Sequence, residues 1–416
     1  MSFLLSAYRV MTGIAEPLAP LALSVMSRAE TQLERQERLG RGIAQPGDTW
    51  WHAASMGEVM ALEPVLEAFR KRYPEASFRV TTTTTTGRNR AAHLWGDRVG
   101  LAPLDLPRAL RRTVEAWDPK AMILVETEFW PNTLHAVLKH GAKLAWINAR
   151  VSDRSWPRYQ KMGSLFEGLF QNATAIGARS PQDAERILSL GAPKESVRIT
   201  GNTKHDHVRA AAAHRLPWGQ DPLLIAGSVH PAELHVVVEA FRLARERCPN
   251  LRLVLVPRHL SRLQDCLLAT KAWRTRRWSQ GKEFDPETDV LVVDQMGQLL
   301  GFYGAGSMAF IGGSLVPVGG HNPLEATVHG LPVAMGPHRG VVSEEWEVLS
   351  KSGLGTEVTD PVSFSDWILS EANGNEARRE ERVAKSKNVM EELKGSGERT
   401  LSWLEERGVF EGSGAS

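Results

Sequence analysis

Short apolar runs alternate with longer stretches in which apolar positions recur every three or four residues. The runs predict strands at Thr49–Ala53, Phe78–Thr83, Met122–Glu126, Leu144–Asn148, Thr174–Gly177, Val197–Thr200, Leu223–Gly227, Arg252–Pro257, Val290–Val293, Met308–Ile311 and Pro332–Met335. Helical spacing falls between them, at Glu58–Arg72, Trp130–His140, Pro181–Leu190 and Pro231–Arg247. Alternation of this kind predicts α/β architecture, with parallel sheets joined by crossover helices. The expected product is two doubly wound halves, each presenting ligand groups at the carboxyl ends of its strands. The polar stretch Asp206–Asp221 has no strand pattern and divides the halves, and the charged stretch Glu376–Glu406 reads as helix that caps or crosses back over the sheets.

The apolar stretch Phe3–Met26 fits neither half. Arg9, Glu16, Pro17 and Pro20 interrupt it, whereas a membrane span needs about 20 largely uninterrupted apolar residues. A secretory signal is a poor fit too, because the basic residue lies inside the apolar stretch rather than before it. Two readings remain: an amphipathic helix on a membrane surface, or a helix packed on its own domain.

Composition narrows the function classes. The 416 residues are 42% hydrophobic and 24% charged, which excludes disorder, collagen and coiled coil and leaves room for two or three domains. Fifty Lys+Arg against 48 Asp+Glu gives a net charge of +2, too little to recruit nucleic acid. The basic run Lys271–Arg277, with Trp273 and Trp278, reads as a solvated helix face over core tryptophans. Cys248 and Cys266 are too few for a disulfide framework, so a reducing compartment is expected.

Most short motifs fail. Gly304-Ala-Gly306-Ser-Met-Ala309 has dinucleotide-loop spacing but sits between a helix and the next strand, the reverse of what that loop requires. His205-Asp206-His207 reads as polar hinge residues, because adjacent side chains point in different directions. No metal site is expected. Three strand ends carry more. At Trp50–Leu66, a strand turns at Gly57 into a helix with Glu58 in its first turn, where a carboxylate either complements the helix dipole or faces a ligand as a base. At Ile123–Asn132, a strand delivers Glu126 and Glu128, which share one side if the chain stays extended. At Val316–Glu325, a glycine-rich loop holding Gly319 and Gly320 leads into a helix near Pro323, where backbone amides suit phosphate and Asn322 and Glu325 suit sugar hydroxyls. Arg258, after Pro257, ends another strand and suits phosphate or carboxylate, and Lys204 closes the first half.

Together these blocks resemble the Kdo transferases, which attach 3-deoxy-D-manno-octulosonic acid (Kdo) to the lipid A precursor. The matching segments keep family order: ERLG (37–40), HAASMGE (52–58), TG (86–87), PLDLP (103–107), ETEFWPN (126–132), NARVSDRS (148–155), GNTKHD (201–206), PRH (257–259), GGSLVPVGGHNPLE (312–325) and GPH (336–338). The resemblance implies a GT-B glycosyltransferase, with two Rossmann-like doubly wound parallel-sheet domains facing a central crevice, acceptor on the first and CMP-Kdo on the second. It implies Glu58 as general base, Glu128 and Lys204 as transition-state stabilisers, and Pro257, Arg258, Met296, Gly297, Gln298, Asn322, Pro323, Leu324 and Glu325 as CMP-binding positions. Two departures stand out: Gln298 where the family has glutamate, and Arg339–Val342 where it has Asn-Phe.

The expected organisation is then an amphipathic segment 1–26, an acceptor domain 27–206, a linker 207–221, a donor domain 222–375 and a returning helix 376–416. No cofactor is expected beyond the donor substrate, and the partners implied are CMP-Kdo, the lipid A precursor and a membrane surface. The implied location is the cytoplasmic face of the bacterial inner membrane, peripheral or monotopic. Arg88, Arg90, Arg150, Arg154 and Arg158 are candidates for the acceptor's phosphates on charge matching, or else are solvated surface residues. Two rivals are another GT-B sugar-nucleotide enzyme, such as an epimerase, and a non-catalytic glycolipid-binding protein.

Overall fold

The computed structural model describes residues 3–26, 30–41, 47–153, 155–161, 170–281, 285–374 and 376–412. The chain forms two compact units, Met1–His207 with Leu393–Ser416, and Val208–Glu392. The first holds a parallel sheet of β1 (Thr49–His52), β2 (Phe78–Thr82), β3 (Val99–Leu101), β4 (Ala121–Val125), β5 (Lys143–Ala149), β6 (Ala175–Ala178) and β7 (Val197–Ile199), in the order β3-β2-β1-β4-β5-β6-β7. Side chains alternate across it, so the neighbours Trp50 and Trp51 enter cores on opposite faces. Both indoles are satisfied, Trp50 Nε1 donating to Thr81 Oγ1 (2.8 Å) and Trp51 Nε1 to Thr49 Oγ1 (2.9 Å).

The second unit repeats the plan with β8 (Leu223–Val229), β9 (Arg252–Pro257), β10 (Thr275–Arg277), β11 (Val290–Val292), β12 (Met308–Ile311), β13 (Val333–Met335) and β14 (Gly355–Glu357), in the order β10-β11-β9-β8-β12-β13-β14. The order reverses between β1 and β4 in one sheet and between β8 and β12 in the other. In doubly wound sheets ligands bind beyond the carboxyl ends of the strands at such points.

The pattern had not predicted β3, β10 or β14. Each is three residues long and lies at a sheet edge, with no apolar run to mark it: VGL, TRR and GTE. β10 corrects the helix expected at Lys271–Arg277, although the tryptophans do pack inward: Trp278 is buried and Trp273 lies against Phe241, ring centres 5.1 Å apart.

The N-terminal stretch is two helices, Phe3–Ala15 and Ala19–Met26, around a short 3-10 turn at Glu16–Leu18. Its inner face is tied down by polar bonds. Tyr8 Oη donates to Asp105 Oδ2 (3.0 Å), and Glu16 accepts the backbone amides of Arg108 (2.9 Å) and Ala109 (2.7 Å), capping the helix Pro107–Trp117. Its outer face exposes Val10, Met11, Ile14, Leu18, Leu21 and Val25. Among the described residues no helix is long and apolar enough to cross a membrane.

At the other end, the helical stretch expected at Glu376–Glu406 breaks at Gly395 into Glu376–Leu393 and Ser396–Glu406. The last helix places Leu401, Trp403 and Leu404 in the core of the first unit. Asp206 caps it, accepting from the amides of Gly395 (2.7 Å), Ser396 (3.3 Å) and Gly397 (2.8 Å). The neighbouring His207 Nε2 bonds Met60 O (2.7 Å), the carbonyl that would have received the missing N–H of Pro64 inside the helix Met56–Arg72. The His-Asp-His triplet is therefore structural.

Candidate active site

In the first unit, β1 and β4 deliver their chemistry side by side at the switch point. Ser55 is the N-cap of the helix Met56–Arg72, which puts Glu58 in its first turn. One carboxylate oxygen of Glu58 accepts from Ala54 N (2.8 Å) and the other from Ser55 Oγ (3.0 Å), so the helix-start reading of this residue is real. Its side chain is only 9% exposed and lies near Glu128 and Glu126. Burial first, then the negative charge of Glu128, outweighs the two hydrogen bonds and pushes its pKa up to about 7. A carboxylate poised at neutral pH has the property a general base needs. Capping and a pKa suited to base chemistry coexist in one side chain.

Glu126 and Glu128 do not share one side of an extended strand. β4 stops at Val125 because Glu126 adopts a left-handed conformation (φ 56°), which turns the two carboxylates apart. Glu126 Oε1 forms an ion pair with Lys204 Nζ at 2.8 Å, while Glu128 Oε2 accepts from Trp130 Nε1 at 2.6 Å. Lys204 therefore pairs with the first carboxylate of the ETE block. Burial is the main cause that raises the Glu128 pKa, and Glu126 adds to it. Lys204 is set in place by its own segment and by β5: Asn148 Oδ1 accepts from Thr203 N (3.1 Å), Asn202 Oδ1 from Lys204 N (3.2 Å), and Thr203 Oγ1 donates to Ala61 O (2.7 Å). A Cβ on Gly57 would stand 4.0 Å from Lys204 Nζ and clash with nothing, so the space above this helix start is open.

In the second unit one cleft of about 330 Å³ is lined by Pro257, Arg258, Met296, Gly297, Gln298, Asn322 and Glu325, together with Ser228, Tyr303 and His321. Three segments distant in sequence thus converge at the carboxyl ends of β8, β9, β11 and β12. The size suits a nucleotide. Burial raises the Glu325 pKa. It also lowers that of His321 to about 4, with Arg258 contributing, so His321 is neutral at physiological pH. His321 Nε2 contacts His230 Nε2 at 3.0 Å, one ring nitrogen donating to the other.

The glycine-rich loop itself departs from expectation. Two of its amides are already bonded to backbone, Gly320 N to Gly313 O (2.7 Å) and His321 N to Gly312 O (3.2 Å), and just upstream the fully buried Glu233 takes three more: Oε2 accepts from Gly313 N (2.8 Å) and Oε1 from Ser314 N (3.0 Å) and Leu315 N (2.9 Å). The helix after the loop is one turn, Leu324–Thr327, and Asn322 Oδ1 already caps Leu324 N (3.0 Å). Pro323 and Leu324 are buried supports that do not line the cleft. Gly319 and Gly320 have φ of 105° and 79°, and a Cβ on either would come within 2.6 Å of Val341 or 2.8 Å of Met335, so packing demands both glycines. Val341 belongs to the departing 339–342 segment. There, Arg339 stacks 4.4 Å over Trp346 and pairs with Glu357, which makes that segment a structural substitution.

Sequence reasoning missed Glu233. Its signal was present, since His230-Pro231-Ala232-Glu233 has capping-box spacing with Pro at the first helical position. Among the arginines, Arg88 lies 3.5 Å from Glu34 and 3.8 Å from Glu37, and Arg90 pairs with Glu63 at 2.9 Å. Arg150 is half-buried just past β5 and Arg158 is exposed, while Arg154 lies outside the described residues. Among the described residues there is no cluster of three His, Cys, Asp or Glu side chains suited to a metal.

Comparison with known proteins places this geometry. The family model described as "3-Deoxy-D-manno-octulosonic-acid transferase (kdotransferase)" matches residues 33–207. The 3-deoxy-D-manno-octulosonic acid transferase of Haemophilus influenzae is 34% identical over 414 residues, covering 95% of this chain and 97% of that protein. The protein of the same name from Bordetella pertussis is 28% identical over 418 residues, covering 94% and 96%. Among solved structures, a UDP-N-acetylglucosamine 2-epimerase superposes with a TM-score of 0.57 at 14% identity, over 87% of this chain and 95% of that one. This last likeness concerns the fold alone, the GT-B class of two doubly wound sheets. Near end-to-end similarity to the transferases does discriminate: the chain belongs to the 3-deoxy-D-manno-octulosonic acid (Kdo) transferase family and is a Kdo glycosyltransferase.

Proposed function

We propose that the chain moves Kdo from CMP-Kdo to the lipid A precursor during lipopolysaccharide synthesis, with inversion, using Glu58 as base. The observation that carries this reading is the convergence of 257–258, 296–298 and 322–325 on one nucleotide-sized cleft. In the proposed step, an acceptor sugar hydroxyl loses its proton to Glu58 as its oxygen bonds to the anomeric carbon of Kdo. The bond from that carbon to the phosphate breaks, and CMP departs with the electron pair. Positive character at the anomeric carbon favours the surplus carboxylates near Glu58. Negative charge on the leaving phosphate, or the Kdo carboxylate, favours Arg258. Lys204 is assigned to transition-state stabilisation, and its pairing with Glu126 keeps a cation beside Gly57.

A lipid acceptor gives the N-terminal helices a purpose. Their exposed apolar face fits a peripheral, monotopic association with the cytoplasmic side of the inner membrane. The test is direct. Purified protein supplied with CMP-Kdo and lipid A precursor is expected to release CMP and yield a Kdo-bearing lipid, and mass spectrometry of that lipid counts the Kdo residues added. Release of neither product overturns the proposal.

A further inference from the structure

We infer that the groove beside the first helix is a binding site for the phosphate headgroup of an anionic membrane phospholipid, separate from the acceptor site. This inference rests on the membrane reading above and gives it a specific chemistry.

Three elements build the groove. Helix Phe3–Ala15 contributes Arg9, helix Pro107–Trp117 contributes Arg108 and Arg111, and helix Pro131–His140 contributes His135 and Lys139. Glu115 also lines it, held 3.8 Å from Arg111, and Asp118 engages the neighbouring His140 at 2.7 Å. Arg108, Arg111 and Lys139 are exposed. The guanidinium of Arg9 abuts the imidazole of His135, and burial together with Arg9 and Lys139 pushes the His135 pKa down. Arg9, Arg108, Arg111 and Lys139 thus gather around one concavity, an arrangement that an anion relieves.

The second observation is what borders the groove. Arg9, Pro107 and Arg108 also line an adjoining concavity with Val10, Gly13, Ile14 and Pro17. Val10 is 62% exposed and Ile14 74%, and Leu18 and Leu21 continue the same apolar face. A basic concavity opening onto exposed apolar side chains matches an amphiphile with a phosphate head and hydrocarbon tail. A soluble anion would need no such border. The arginines favoured from sequence do not offer this: Arg88 and Arg90 face carboxylates of their own unit.

The test compares the full chain with an R108A/R111A/K139A variant, all three substitutions at exposed positions that leave Arg9 and its contacts intact. Sedimentation is measured with phosphatidylcholine vesicles and with vesicles containing phosphatidylglycerol. The wild type is expected to prefer the anionic vesicles. The variant is expected to lose that preference, at about fivefold per cation and roughly a hundredfold for three, while binding phosphatidylcholine as before. Equal binding of wild type and variant to anionic vesicles overturns the groove but leaves the membrane reading standing. Failure of the wild type to bind either vesicle overturns both. Transfer to acceptor dispersed in detergent without phospholipid separates the remaining source. An unchanged KM in the variant supports a separate headgroup site, and a raised KM assigns the groove to the acceptor's phosphates and overturns the inference.

Discussion

Glu58, the proposed base, also braces a helix start, two duties that usually compete. As a helix cap it is hydrogen-bonded through both oxygens, which alone would hold its pKa low. Burial and the neighbouring Glu128 reverse the sign and bring it to about 7. A base must be ionised to act, so transfer is expected to rise with pH and level off above a midpoint near 7. Glu58→Gln keeps the size and one accepting oxygen but removes the base. It is expected to lower transfer by at least about 10²-fold and abolish the titration, while CMP binding, measured by calorimetry, stays as in the wild type. An unchanged pH profile in that variant would assign the base elsewhere.

Two strand ends in separate units show one device. β5 shifts register against β6 between Trp146 and Ala149, with Asn148 at φ 50°, and β8 shifts against β9 between Ala226 and Val229, with Ser228 at φ 55°. Such irregularities re-aim a side chain at the end of a strand, and both residues sit at the candidate sites: Asn148 braces the Lys204 segment and Ser228 lines the cleft of the second unit. Helix caps are the other device. Asp206 holds three amides of the returning helix, so Asp206→Ala is expected to cost roughly 1–2 kcal/mol. A lowered urea midpoint with unaltered CMP affinity would show it, whereas no change in midpoint would mean that solvent caps this helix equally well.

For the molecule as a whole, the net charge of +2 is an average. It conceals a carboxylate-rich switch point around Glu58 and a basic groove behind the first helix. The N-terminal helices combine a polar inner face, bonded to Asp105, Arg108 and Ala109, with an apolar outer face left open. Replacing Val10, Ile14, Leu18 and Leu21 by Ser spares every inner contact. If each side chain contributes about 1 kcal/mol at a bilayer, vesicle affinity should fall by at least roughly a hundredfold, with CMP binding retained. Undiminished sedimentation of this variant would show that the apolar face is not the anchor.

The sequence by itself determined the fold class and nominated residues for the chemistry. Interior strands of parallel sheets are covered on both faces and read as unbroken apolar runs, so all eleven expected strands exist, their ends shifted by at most two residues. Glu58, Glu128 and Arg258 stood out as candidates because they follow such runs closely, whereas 296–298 were marked by the family resemblance and 322–325 by the glycine-rich loop beyond β12. Edge strands β3, β10 and β14 were not legible, since β10 (TRR) and β14 (GTE) hold no apolar run and β3 (VGL) is interrupted by a glycine. Partnership was decided only by tertiary structure. Lys204 reaches Glu126 across 78 positions, Glu233 fills the amides leading into the glycine-rich loop from 80 positions away, and Asp206 caps a helix 190 residues further on. Local periodicity encodes which face of an element is buried. Which charge meets which depends on how distant elements pack, and that is also what brings the pKa of a helix-capping glutamate up to about 7.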